Sequence, residues 1–566
     1  MLQSLGQVEQ PVITMSSHIE SLSKERFDVV IAGGGIYGAC IAEKLSKAGY
    51  KCALLEATDF GAKTSANTLG ILHGGLRYIP RLDFKRIKRS VESRRYFLQL
   101  APQLATITPF NIALKTFSIR NPWLMRCALA LNDLVSQNRN LGVPSSVHIP
   151  NSRVIPKNSL DKGSLLYDQT SVSAVARWHE TVINHPERLV LEVVMAARKH
   201  GCHLANYCKV EKTLLDKGKF SGVSVKNRFT NKTATIATRW LIDATGHNLG
   251  NLNAPIPASL KNTQWARSIN LVIDRLIHPS SAFGLPIQEH LNGDEGKGKT
   301  KERQFFILPK GKQTVIGTFY NHQSQSNNGL KLSSKDKQTI VANINTAQPK
   351  LKIQLDEVTH WQSGWLPLDS TSTKASFKLR DHSSVNLHLF QQDHLQQQEQ
   401  TQIQARRGII EVRGVKFTTA PAVADEVVSM LKSHYQLSTN RKNPLSFEIV
   451  DSAQRSRPKT ELEKTLFNKY GHRWQQTTEY FSKREGYLRP VTGETLVGEV
   501  CYAIDHEYAQ RLTDVLCRRT TLAHNQRVSL STAIRIAKIM QAQLSWSETR
   551  YKVEMKQAHK ADLILT

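Results

Sequence analysis

Phe27-Asp-Val-Val-Ile-Ala-Gly33-Gly-Gly35-Ile-Tyr-Gly38 is the stretch whose reading decides the fold. Asp28 to Ala32 is a short apolar run stopped by glycines, which reads as a buried strand. Ala39 to Ala48 then carries apolar residues at helical spacing, with Gly49 as the stop. Cys52 to Leu55 is a second buried strand. Strand, helix and strand within about 30 residues make a βαβ unit on a parallel sheet. The glycines between the first strand and the helix fit G-x-G-x-x-G, with Gly34 and Ile36 completing the loop. Gly33 permits a tight turn, Gly35 lets the backbone approach a pyrophosphate, and Gly38 allows close helix–strand packing. The helix N-terminus faces the phosphate charge. Glu56 closes the second strand 23 residues after Gly33, where a carboxylate takes ribose hydroxyls and repels a 2′-phosphate. That position argues against NADP.

Outward from this unit, 566 residues are enough for two or three domains with a large buried core. No stretch approaches the roughly 18 uninterrupted apolar residues of a membrane-spanning helix. Residues 1–26 lack the basic start and apolar segment of a secretory signal and read as a disordered leader, with Met15 a second candidate start. The seven cysteines form no Cys-x-x-Cys pair, and Cys202, His203 and Cys208 are too few for a metal site, so no metal is expected. Buried thiols in a reducing cytoplasm account for them. The outlying quantity is charge: 76 Lys+Arg against 47 Asp+Glu give +29, a field that favours an anionic partner. Residues 81–97 concentrate it, with Arg81, Lys85, Arg86, Lys88, Arg89, Arg94 and Arg95 against Asp83 and Glu92. Phe84, Ile87, Val91 and Leu98 recur at helical spacing, so the segment predicts a basic amphipathic helix suited to an anionic lipid surface. No recognition motif supports nucleic acid.

Further along, residues 189–260 alternate strand-like runs and turns and end in Trp240-Leu-Ile-Asp243 followed by Ala244-Thr245-Gly246. Ser268 to Ile273 and Thr314 to Ile316 predict more strands. Residues 391–404 are glutamine-rich without periodicity, a surface insertion. From about 452 the pattern turns helical and charged. The expected fold class is α/β: a Rossmann-like dinucleotide-binding domain with an interleaved antiparallel-sheet substrate domain over 27–445, then a C-terminal helical domain over 446–566. Thr64-Ser65 follows the second strand, and His73-Gly74-Gly75-Leu-Arg77-Tyr78 comes soon after. Its paired glycines permit a flat ring to lie close to the backbone, and its histidine, arginine and tyrosine suit an anionic substrate over that ring.

From Phe27 to Leu104 the chain resembles the FAD-dependent, quinone-linked glycerol-3-phosphate dehydrogenases of membranes, most specifically at Leu72-His-Gly-Gly-Leu-Arg-Tyr78 and Leu100-Ala-Pro102. Ordered matches continue at Asn121-Pro-Trp-Leu-Met-Arg126, Ala244-Thr-Gly246, Phe306-Ile-Leu-Pro309 with Ile316-Gly-Thr318, Arg380-Asp-His382, Gly414-Val-Lys416-Phe-Thr-Thr419 and Glu499 to Thr520. The resemblance implies FAD, with Gly33, Gly35, Gly38 and Glu56 on its ADP half and Thr64 and Ser65 on the pyrophosphate side. It implies a contact from Val210 on the adenine side, Thr245 and Gly246 at a strand end, and Gly414, Val415 and Lys416 near the flavin ring. Arg77, Tyr78, Arg380 and Lys416 would gather round a small anionic alcohol, because arginine's fixed fork suits phosphate. His73 is the candidate base for the hydroxyl proton while hydride leaves for the flavin. Electrons would pass to a membrane quinone from a cytoplasmic protein peripheral on the inner face of the membrane. Three departures bear on the substrate: Leu366 stands where the family has the arginine of Gly-x-Arg-Pro-Leu, Phe319 and Tyr320 replace Thr-Asp, and Pro421 replaces an arginine. They leave open an oxidase or dehydrogenase of a hydroxy acid or amino compound using oxygen or another acceptor, or a flavin-binding protein without turnover. The retained Arg77, Arg380 and Lys416 argue against the last.

Overall fold

Alternating buried runs and glycine turns in the N-terminal sequence become, in the computed structural model, a parallel sheet with helices against it. The structure describes residues 15–116, 121–159, 166, 172–248, 252, 264–289, 301–322, 332–369, 371–372, 378–390, 406–435, 458–493, 495–520, 522–524 and 526–565. It opens with helix α1 (Met15–Ser23), strand β1 (Arg26–Ala32), helix α2 (Ile36–Lys47) and strand β2 (Cys52–Leu55). Helix α1 corrects the leader expected over residues 1–26. Ile19 and Leu22 lie three apart on one helical face and bury against Phe27, Val30 and Val223, so the segment covers the sheet. Residues 1–14 lie outside the described residues, as do the glutamine-rich stretch and the residue 446 boundary. Helix α2 starts three residues earlier than its apolar spacing suggested, because the glycine loop itself delivers the first turn.

The next elements are β3 (Ile71–Leu72), α3 (Phe84–Leu100), β4 (Ala105–Leu114), α4 (Pro122–Val135), β5 (Arg153–Pro156), β6 (Ala174–Ile183) and α5 (Pro186–Lys199). Strands β7 (His203–Ala205), β8 (Cys208–Asp216), β9 (Lys219–Asn227), β10 (Thr233–Asp243), β11 (Trp265–Ile273), β12 (Ala282–Glu289), β13 (Lys301–Lys310) and β14 (Gln313–His322) follow. Then come α6 (Ser334–Ala347), β15 (Val358–Pro367), β16 (Ser384–Leu389), β17 (Gly408–Arg413) and α7 (Ala420–His434). The first sheet runs β16-β17-β10-β1-β2-β7, with β9 pairing β10 and β8 pairing β9 off this path. Its central pairs are parallel, Val30 lying opposite Leu241 and Ala53. The second runs β15-β11-β14-β13-β12-β4-β6-β3 and is antiparallel except between β4 and β12. The chain crosses between the two sheets repeatedly, which is the interleaving expected of an α/β flavin fold.

Helix α3 forms where the basic segment predicted it, capped by Asp83, whose carboxylate accepts from Arg86 N at 3.2 Å. Its apolar face is spent differently. Ile87, Val91 and Leu98 are buried in the protein, so most of the apolar face of α3 packs inward, while Phe84 at its start is exposed. Beyond α7, helices α8 (Glu461–Tyr470), α9 (Trp474–Ser482), α10 (Val497–Asp505), α11 (Leu530–Gln543) and α12 (Glu548–Lys560) build a separate core around Leu466, Phe481, Tyr502 and Met540. This helical unit docks through buried ion pairs: Arg188 with Glu507, Arg473 with Glu192, and Arg519 with Asp59 through both guanidinium nitrogens at 2.7 and 2.8 Å.

Candidate active site

The end of β1 delivers the glycine loop into a space with no room for side chains. Gly33 has φ +105°, and a Cβ there would lie 2.5 Å from the Ala244 carbonyl oxygen. A Cβ on Gly38 would lie 1.9 Å from the Gly33 oxygen, so helix and turn touch as the motif demands. Ser65 Oγ accepts from Ile36 N at 3.0 Å, which puts a hydroxyl at the start of α2. Glu56 sits partly exposed at the end of β2. Its carboxylate accepts from Gly34 N at 2.6 Å and from the amide and hydroxyl of Thr58 at 2.8 Å each. A helix N-terminus, a bare glycine turn and a held carboxylate across it fit the ADP half of FAD.

Thr64 and the 414–418 loop close over the same cleft. Thr64 Oγ1 accepts from Trp365 N at 3.1 Å, tying the glycine-loop domain to β15. Tyr37, one residue before Gly38, nails the later loop down. Its hydroxyl donates to Lys416 O at 2.7 Å and accepts from Val415 N and Lys416 N at 3.1 and 3.0 Å. A Cβ on Gly414 would meet the Tyr37 ring at 2.1 Å. Tyr37 occupies the fifth position of the motif, which the glycine pattern leaves unspecified, so the sequence carried no signal for this role. Thr245 caps its own turn, donating to Asp243 Oδ1 from both amide and hydroxyl, and Gly246 follows at φ +66°.

The cations gather around Tyr78. Its buried ring has the Arg77 and Arg86 guanidinium carbons each 5.2 Å from the centroid and Lys416 Nζ at 5.0 Å. Lys416 also donates to the Tyr78 hydroxyl at 2.5 Å and to Asp381 O at 3.1 Å. Asp381 is the counter-charge, 3.4 Å from Arg77, 3.1 Å from Arg81 and 3.9 Å from Arg86. His382 contacts Arg86. Three arginines thus share the Asp381 carboxylate, Lys416 reaches its backbone oxygen, and Asp83 pairs the far side of Arg86 at 2.8 Å. Burial, then the neighbouring Arg77, pushes the Lys416 ammonium down to about 8. Such a patch has positive charge to spare for an anion.

His73 stands beside it on the loop after β3. Its amide donates to Thr418 Oγ1 at 3.1 Å, and its Nδ1 lies 3.6 Å from Glu180 Oε1. Glu180, buried on β6, also accepts from Gly74 N at 2.8 Å, Arg94 Nη1 at 3.0 Å and Trp178 Nε1 at 3.2 Å. Burial would raise its carboxyl, but His73, Arg94 and the Gly74 amide outweigh this and hold it below the usual range. Glu180 is therefore ionised and fixed, and it orients the His73 ring. Sequence reasoning missed it because its strand pairs with β4, far from any motif. The Gly74-Gly75 pair has a reason other than room for a flat ring: a Cβ on Gly74 would strike the Arg94 guanidinium at 2.6 Å, and Gly75 abuts Ile87 at φ +96°. Both glycines let α3 come close.

Other expected contacts lie elsewhere. Val210 packs its side chain in the core beside Leu55 and Val225, leaving its backbone for any cofactor contact. Arg380 is half-buried, and its charge acts on Asp369; its neighbour Asp381 is the residue that joins the cations. Phe319 is buried in the core with residues of α6, its ring tilted against Phe305 with centroids 5.6 Å apart, so it does not border the cleft. Pro421 starts α7 and is buried. Leu366 does share the face of Gly364, whose missing Cβ points at Thr64, and Tyr320 and Ser268 lie on that same face by register.

A family model described as FAD dependent oxidoreductase matches residues 28–430, and one described as the C-terminal domain of alpha-glycerophosphate oxidase matches 445–551. The chain is 23% identical to the glycerol-3-phosphate dehydrogenase of Synechocystis, covering 94% of this chain and 96% of that one. It is 24% identical to the alpha-glycerophosphate oxidase of Streptococcus pneumoniae over 66% of this chain, spanning 59% of that protein's length. The fold superposes on the glycerol-3-phosphate dehydrogenase from Bacillus halodurans complexed with FAD with a TM-score of 0.68 at 18% identity, covering 97% of each chain. With a glycine cradle that fits FAD and a family model over most of its length, this chain belongs to the FAD-dependent oxidoreductases.

Proposed function

We propose that this protein oxidises glycerol 3-phosphate or a similar small phosphorylated alcohol. The observation that carries the reading is the surplus of cations at Tyr78, beside a histidine held by a buried carboxylate. Arg77, Arg81, Arg86 and Lys416 bind the phosphate, the arginines by their forks and Lys416 as a point charge. Asp381 keeps the guanidinium groups apart and in place while the site is empty. His73 takes the hydroxyl proton of the alcohol, and Glu180 fixes its ring and stabilises the imidazolium that forms. Bound FAD supplies the acceptor for the hydride that leaves the same carbon. Arg81 and Arg86 provide charge that Leu366 does not, so the phosphate preference survives that departure. The test is anaerobic mixing of the FAD-loaded protein with glycerol 3-phosphate, glycerol and lactate. Flavin bleaching by the phosphorylated alcohol alone supports the reading; bleaching by lactate and not by glycerol 3-phosphate overturns it.

The electron acceptor in this proposal is a membrane quinone, reached from a peripheral position on anionic lipid. Among the described residues no helix is long and apolar enough to cross a membrane. Support comes from α4 and the first turn of α3. Helix α4 packs on the Tyr78–Ile79 turn through Ala128, Leu131 and Val135, while Trp123, Leu124 and Leu134 are exposed. Leu82, just before α3, and Phe84, its first residue, are exposed too, and Arg81, Lys85, Lys88 and Arg126 are exposed bases of the same segments. Apolar tips ringed by bases suit an anionic interface, each base contributing on the order of 1 kcal/mol near it. Trp123→Ser with Leu124→Ser should release the protein from anionic vesicles without changing flavin content. Equal binding by neutral and anionic vesicles would count against the surface.

A further inference from the structure

Among the described residues, one cluster of histidines and a carboxylate converges away from the flavin loops. His185 and Glu187 flank Pro186 at the start of α5, and His524 reaches them from the C-terminal helical unit. His524 Nδ1 lies 3.0 Å and His185 Nδ1 3.5 Å from the same Glu187 oxygen, and the two rings are 4.6 Å apart. Both rings approach the carboxylate at ion-pair distance but without the alignment of a good hydrogen bond. Both buried Glu187 oxygens, His185 Nδ1 and His524 Nε2 all lack a hydrogen-bond partner. A carboxylate that is 1% exposed and receives no hydrogen bond is costly to bury, and such groups call for an unseen partner. Lone pairs that miss one another yet stand about 3–3.5 Å apart are what tetrahedral ligation at about 2.0–2.1 Å produces.

We propose that His185, Glu187 and His524 bind a divalent transition-metal ion of the zinc class, joining the FAD-binding unit to the C-terminal helical unit. Two imidazoles and one carboxylate select Zn²⁺ over the oxygen-seeking Mg²⁺ and Ca²⁺. Three protein ligands leave a fourth tetrahedral position for a water. Lys310 Nζ, at the end of β13, is buried without a hydrogen-bond partner and feels the Glu187 charge. Its charge competes with a bound cation for that carboxylate. The spacing of cysteines and histidines along the chain gives no hint of this site, because its ligands meet only where two units dock.

The experiment is calorimetric titration of the full-length, FAD-loaded, chelator-dialysed protein with Zn²⁺, with melting temperature as a second readout. One Zn²⁺ per chain is expected, with a raised melting temperature. Glu187→Gln and His524→Ala should each weaken binding by about tenfold or more. Lys310→Met should tighten it while leaving flavin absorbance unchanged, which a merely structural cluster would not show. Failure of the unaltered protein to take up Zn²⁺ would overturn the proposal. So would undiminished binding in both ligand variants, which would place the ion at some other surface group.

Discussion

At the residue scale the substrate question rests on Leu366 and Lys416. Leu366 is half-buried on the face of β15 that Gly364 turns towards Thr64, where, under the proposed function, an arginine would add a cation to the phosphate site. A charge-assisted hydrogen bond contributes roughly 1.5–3 kcal/mol, so Leu366→Arg should lower the apparent dissociation constant for glycerol 3-phosphate by about tenfold or more. An unchanged constant in flavin-reduction titrations would mean that Arg81 and Arg86 already saturate the phosphate. Lys416 gives a pH signature of definite sign. With its ammonium pushed down to about 8, it is charged below that pH and neutral above it. Substrate phosphate, with a second pKa of about 6, is already dianionic there. The apparent dissociation constant should therefore rise by roughly tenfold from pH 7 to 9, and Lys416→Arg should flatten the profile. A flat profile in the unaltered protein would remove Lys416 from the phosphate site.

The glycine loop and α2 make one element, and its tolerance is set by distances of atoms that are not there. Gly38→Ala would place a methyl group 1.9 Å from the Gly33 oxygen, too close for any rotamer to relieve, so loop and helix must part. Overpacking of this kind costs about 1–3 kcal/mol in stability. Its larger effect falls on the cofactor, because the displaced loop no longer presents its amides. The variant should purify folded and colourless, checked by circular dichroism beside flavin absorbance; a yellow protein with full FAD occupancy would contradict the cradle. Helix α3 teaches the opposite lesson. Its charges and apolar spacing were plain in the sequence, but periodicity marks a face without saying what covers it. Ile87, Val91 and Leu98 turned out to be covered by protein, while α4, less basic and less conspicuous, kept Trp123 and Leu124 exposed.

On the scale of the molecule, buried ion pairs weld the helical unit to the FAD-binding unit. Glu507 accepts from Arg188 through both oxygens at 2.7 and 2.8 Å, and lies 2.8 Å from Arg473. Burial would raise its carboxyl, but Arg188 and Arg473 hold it down at about 2, from an ordinary 4.5. A carboxyl depressed in the folded state stabilises at pH values above its unfolded pKa, and that contribution fades as pH falls from about 4.5 towards 2. The size is on the order of 3 kcal/mol at neutral pH. Glu507→Gln should accordingly lower stability by about 3 kcal/mol at pH 7, since it leaves the buried Arg188 and Arg473 to share Glu192 alone. The loss should shrink as the pH falls towards 3, measured by urea unfolding across that range. An equal loss at every pH would show that packing, not charge, joins the units.

The sequence by itself determined the βαβ unit, the FAD cradle at Gly33, Gly38 and Glu56, the strands at Trp240–Asp243 and Ser268–Ile273, and the C-terminal helices. Those features are local: a glycine turn, a period of apolar residues or a cap acts within a few residues of itself. The loops at His73–Tyr78 and Gly414–Lys416, proposed to hold the substrate, were legible through resemblance, since their residues stand in the family's order. Only the tertiary structure decided that Tyr37 pins the 414–416 loop and that Glu180 holds His73. It also decided that Asp381 joins the cations where Arg380 was expected, and that Phe319 lies in the core. Each of these depends on which side of a strand or loop a residue presents to a partner hundreds of residues away. Pairing register and domain docking set that, and neither is written in local spacing.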